Sequence, residues 1–110
     1  MMSDEPATFR RPVEISNALG LHLRPADKFV KLALRYRSEV WILYNGNQYN
    51  GKSILDLTSL AAERGTRLEI EARGPDAEDA IKALEELVVA RFYEDEEGEA
   101  VPEQPREPAR

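Results

Sequence analysis

Apolar residues recur with period two in some stretches of this chain and with helical period in others. The order of those stretches is the strongest constraint on its fold. Over Pro12–Ser16, Val13 and Ile15 alternate with Glu14 and Ser16, the pattern of a half-buried strand. Over Pro25–Arg37, Ala26, Phe29, Val30, Ala33 and Leu34 fall three and four apart, and Asp27, Lys28, Lys31 and Arg35 take the wet side. Glu39–Tyr44 is rich in β-branched and aromatic residues, and Asn45-Gly46 after it favours a tight hairpin turn. The partner strand, Asn47–Asn50, is short and polar, which suits a sheet edge. Ser53 can cap a helix over Ile54–Ala62, with Asp56 three residues on, and Gly65 stops it. Arg67–Ala72 alternates again. Gly74-Pro75 then opens a last helix to about Phe92, with Asp76, Glu78 and Asp79 loading its first turn. Its stripe of Ala77, Ala80, Ile81, Leu84, Leu87 and Val88 reads as core, as does that of the first helix. The order βαββαβα predicts an α+β sandwich with helices covering one face of a sheet.

A chain of 110 residues, 42% of them hydrophobic, can build one domain with one core. Cysteine is absent, which excludes disulfides and thiolate metal sites. No apolar run approaches the roughly 20 residues of a membrane span, and the first residues carry none of signal-peptide length. A cytoplasmic location without membrane insertion is expected. The net charge of −6 is unevenly placed, because residues 93–110 hold seven acidic and two basic residues. The remainder is close to neutral and lacks the basic footprint of a nucleic-acid binder. The chain therefore divides into a flexible leader (1–11), a folded domain (12–92) and an acidic, proline-bearing, disordered tail (93–110).

Chemistry concentrates in Gly20-Leu21-His22-Leu23-Arg24-Pro25-Ala26, which holds the only histidine. Pro25 suits the first turn of a helix, and Gly20 permits backbone that other residues resist. His22 is thus expected at a helix N-terminus, beside unpaired amides and Arg24. Such a terminus attracts anions. A neutral imidazole is a nucleophile near pH 7, so the combination suggests a histidine that meets phosphate. One histidine, no cysteine and no carboxylate pair in a ligand motif leave no metal centre. The plainer readings are a surface histidine at a helix cap and an arginine that is only a solvated charge. Helix capping explains Ser53 without further function.

The same residues resemble the phosphorylation motif of the HPr family, the histidine phosphocarriers of the bacterial sugar phosphotransferase system. Gly51-Lys52-Ser53-Ile54-Leu55 resembles the family's serine segment, and Asn45-Gly46 and Gly65-Thr66 fall in register with it. The likeness covers about Pro12–Phe92. It implies an open-faced sandwich, a four-stranded antiparallel sheet with three helices on one face. It further implies a phosphoryl carrier, not an enzyme, charged by phosphorylated enzyme I (itself charged by phosphoenolpyruvate) and discharged to an EIIA-type acceptor in sugar uptake or its regulation. His22 would be the phosphoryl acceptor and Arg24 the stabilising cation. Ser53 would match the serine modified by a regulatory kinase or phosphorylase in some lineages. Leu23, Lys52, Ile54 and Leu55 would meet partners. No cofactor is implied, and a monomer is expected. Leu23 departs from the family's usual small or hydroxylic residue: its amide remains, but a hydroxyl is lost. That bears on partner identity more than on chemistry. The alternatives are a regulatory phosphotransfer or binding module, nitrogen-type or controlled at Ser53, and a structural or ligand-binding domain in which His22 has no function.

Overall fold

The computed structural model describes residues 7–94. The stretches expected as strands form β1 (Thr8–Glu14), β2 (Glu39–Tyr44), β3 (Asn47–Asn50) and β4 (Arg67–Arg73). Those of helical period form α1 (Leu23–Ala33), α2 (Ile54–Leu60) and α3 (Ala77–Val89). The strands make one sheet in the order β1-β4-β2-β3, every neighbouring pair antiparallel. Its register sets Val13 opposite Leu68, Ile42 opposite Ile70 and Val40 opposite Ala72, so buried apolar side chains lie in rows. Phe29 of α1, Leu57 of α2 and Ile81 and Leu84 of α3 complete that core. The alternate residues Trp41, Leu43, Glu69 and Glu71 are only half-buried, on the open face. There Arg10 Nε reaches Glu71 Oε2 at 2.9 Å. This is the expected open-faced α+β sandwich, βαββαβα.

Asn45 (φ 56°) and Gly46 (φ 79°) turn the hairpin in the left-handed conformation that makes Asn-Gly favourable there. β3 is an edge strand, as its polar composition suggests. Four boundaries differ from the sequence reading. β1 begins at Thr8, so Thr8–Arg11 pair with β4 and are not part of a leader. Two arginines and Pro12 hide this strand, yet an edge position tolerates a proline, and Phe9 packs against the core. α1 starts two residues before Pro25 and stops at Ala33, where Arg35 and Tyr36 amides turn back to Leu32 and Ala33 carbonyls. α2 stops at Leu60, because Ala61 takes a left-handed conformation (φ 55°) well before Gly65.

The fourth difference lies at the C-terminal end. α3 stops at Val89, and Arg91, Phe92 and Tyr93 all adopt left-handed backbone (φ 57°, 57° and 56°). Each such residue costs on the order of 1–3 kcal/mol unless its surroundings hold it. Here Phe92 is fully buried, and Lys28 Nζ donates to its carbonyl at 2.7 Å. The turn sends the chain back toward the start of α1. Tyr93 and Glu94, assigned to the tail from composition, therefore belong to the folded unit. The remaining leader and tail residues, 1–6 and 95–110, lie outside the described residues.

Candidate functional site

The loop from β1 to α1 is held at both ends. Ile15 exchanges backbone hydrogen bonds with Thr66 and Gly65. The buried Leu21 donates its amide to Ala62 O at 2.7 Å, which ties the loop to the C-terminal end of α2. Gly20 is required between these anchors. Its φ is +75°, and a Cβ there would stand 2.5 Å from Ala62 O and 2.9 Å from Glu63 Cα. Asn17, fully buried, bridges the loop by donating from Nδ2 to Gly20 O at 2.7 Å.

His22 follows as the N-cap of α1, in extended backbone (φ −85°, ψ −169°) and with no capping bond from its side chain. Its carbonyl accepts the Ala26 amide, the first bond of the helix. The Leu23 and Arg24 amides precede that bond and have no acceptor within the helix, and Pro25 brings no N–H to the turn. Two backbone donors and the positive end of the helix thus follow directly on His22 in the chain. Arg24 is exposed and makes no ion pair among the described residues.

The imidazole itself is two-sided. Its side chain is 35% exposed. Nε2 is buried without a hydrogen-bond partner, and the Glu94 carboxylate stands 3.4 Å from it. Nδ1 is not enclosed in this way, so it is the nitrogen a reactant can approach. Glu94 Oε1 also accepts from Asn17 Nδ2 at 3.1 Å. Sequence reasoning missed Asn17 and Glu94. A carboxamide in a loop five residues before the only histidine is a faint signal. Glu94 gave none, since it opens a run of acidic residues.

The other candidate residues lie apart from His22. Ser53 caps α2 by accepting the Asp56 amide at 3.1 Å. The Leu21–Ala62 bond places His22 at the opposite end of α2, so about 10 Å of helix separates it from Ser53. Lys52 Nζ donates to Tyr36 O at 2.8 Å, just past the end of α1, which ties the ammonium to the protein. Ile54 packs partly against the core, whereas Leu55 is 74% exposed. Leu19 and Leu23 flank His22 in the chain and are also exposed. Two apolar spots therefore frame the site, one around His22 and one on α2.

The profile of the family described as "PTS HPr component phosphorylation site" matches residues 9–90. A Phosphocarrier protein HPr from Neisseria meningitidis is 44% identical over 87 residues, covering 79% of this chain and 98% of that protein. A Phosphocarrier protein NPr from Klebsiella oxytoca is 39% identical, covering 80% of this chain and 99% of the relative. Among solved structures, HPr-C-His from Thermoanaerobacter tengcongensis superposes with a TM-score of 0.76 at 38% identity, over 79% of this chain and 98% of that one. A lone half-exposed histidine at a helix start, set in this fold and at these identities, leaves one family: the chain belongs to the HPr phosphocarrier proteins of the phosphotransferase system.

Proposed function

We propose that this protein accepts a phosphoryl group on His22 from phosphorylated enzyme I and passes it to an EIIA-type acceptor protein in sugar uptake or its regulation. The observation that carries the reading is a partly exposed His22, its Nδ1 not enclosed, as the residue directly before the unpaired amides of α1. A phosphoryl group there adds negative charge, which the Leu23 and Arg24 amides and the Arg24 guanidinium offset. Two amides and one mobile cation hold it weakly enough for it to leave again. The protein acts as carrier and substrate, and its partners supply catalysis. A monomer suffices, since His22 and its donors come from one chain, and the reaction belongs to the cytoplasm. Exposed Leu23 next to His22 and, on the second spot, exposed Leu55 with Ile54 and Lys52 near it in the chain form the surface for enzyme I and the acceptor. A phosphate on Ser53 would suit the start of α2 and act by repelling an acidic partner rather than by unfolding the helix.

Incubation with phosphoenolpyruvate and cognate enzyme I tests this. Acid-labile phosphate on His22, abolished in His22→Ala, is expected; wild-type protein that takes up no phosphate overturns it. The NPr relative favours a second reading, a regulatory branch with little part in sugar transport. Comparing transfer rates to sugar-type and nitrogen-type acceptors separates the two.

A further inference from the structure

We infer that Glu94 is a positioning residue for the phosphoryl acceptor: tied to Asn17, its carboxylate keeps the proton on Nε2 of His22 and offsets the charge the ring gains on phosphorylation. The inference rests on the phosphocarrier reading and goes beyond it, to a residue past the last helix. Three observations converge. The left-handed run Arg91–Tyr93 is an unfavoured way to leave a helix, and it is anchored from both sides by buried Phe92 and by Lys28. It delivers Glu94 to the buried face of the imidazole, 3.4 Å from Nε2. There Asn17 holds one carboxylate oxygen, leaving the other toward a buried ring nitrogen that has no hydrogen-bond partner.

The chemistry follows from what each group can do. An ionised carboxylate only accepts, so the nitrogen facing it is favoured as N–H. An imidazole protonated on Nε2 has its lone pair on Nδ1, the approachable nitrogen. In the transfer, that lone pair forms the new P–N bond as the donor's bond to phosphorus breaks and the donor departs with the bonding pair. No proton leaves Nε2, so the ring becomes cationic. Its counter-charge is Glu94, in a partly desolvated position where attraction is stronger than in bulk water. Onward transfer reverses this: the acceptor's nucleophile takes phosphorus, and the ring leaves neutral with its Nε2 proton in place. A carboxylate that orients an imidazole in this way is a recurring device.

The test uses the full chain with Glu94→Ala and Glu94→Gln, the second preserving shape without charge. Folding of both is checked by thermal melting. With phosphoenolpyruvate and enzyme I, the maximal rate of His22 phosphorylation is expected to fall roughly tenfold in both variants with KM for the carrier unchanged. By 15N-edited NMR of the unphosphorylated protein, the wild type is expected to show a slowly exchanging Nε2-bound proton that Glu94→Ala loses. A wild-type phosphorylation rate in Glu94→Ala, or an unaltered Nε2-bound proton, overturns the inference while leaving the carrier reading intact. If wild-type protein takes no phosphate, the carrier reading fails, and the NMR measurement alone still decides whether Glu94 sets the tautomer.

Discussion

Among the polar clusters that hold loops to helix starts in the described residues, those at α3 and α1 are built in opposite ways. At the start of α3, the Asp76 carboxylate accepts the amides of Arg37 and Ser38 at 2.9 Å each and the Ser38 hydroxyl at 2.6 Å. Ser38 Oγ in turn accepts the Asp76 amide. The Ser38 hydroxyl, then the Arg37 amide, lower the Asp76 pKa from 3.8 to about 2. At the start of α1, Asn17, His22 and Glu94 leave two buried polar atoms, Asn17 Oδ1 and His22 Nε2, without hydrogen-bond partners. Native interiors seldom accept that, since an unmet buried group costs about 1–3 kcal/mol. In the first cluster both carboxylate oxygens and the hydroxyl are bonded. The second keeps bonding capacity in reserve, which a group that must gain and lose charge requires.

Phe92→Ala gives the largest expected effect, because Phe92 serves both the core and the turn that carries Glu94. Removing a fully buried phenyl costs about 3–5 kcal/mol, read from urea unfolding. Phosphorylation of His22 should slow as well, so a variant that loses stability alone would break the link between this turn and the site. Ser38→Ala comes next, at about 1–2 kcal/mol, with transfer rates unchanged. It also changes the acid limb of the stability curve. The Asp76 pKa is lowered on folding, so its contribution is complete above its ordinary value and is lost as pH falls from about 4 toward 2. Without the hydroxyl the carboxylate protonates at higher pH, and urea titrations should show a smaller stability loss across that window. Arg24→Ala is the smallest in stability, within about 0.5 kcal/mol by thermal melting, since the side chain is exposed. It should nonetheless slow His22 phosphorylation roughly tenfold. Slower transfer in Ser38→Ala, or a lower melting temperature in Arg24→Ala, would erase the distinction between the clusters.

Much of this was legible in the chain. β-branched and aromatic content over Glu39–Tyr44 and alternation over Arg67–Ala72 marked both central strands, each of which has one buried face. The Asn-Gly turn and the Ser53 cap were legible because their chemistry is local. His22 at a helix start followed from Gly20 and Pro25. β1 was read too short, because an edge strand bears arginines and a proline that a central strand would reject. The distance from Ser53 to His22 was invisible, since it depends on how α2 runs beneath the loop.

Periodicity and turn chemistry alone determined the element order, the core stripes and the histidine at a helix N-terminus, for these depend on residues near one another in sequence. Which ring nitrogen faces outward, and which carboxylate stands behind it, was decided only by tertiary structure. Glu94 lies 72 residues from His22 in the sequence. It looks like the first charge of an acidic tail until burial of Phe92 turns the backbone into the left-handed region and folds it home.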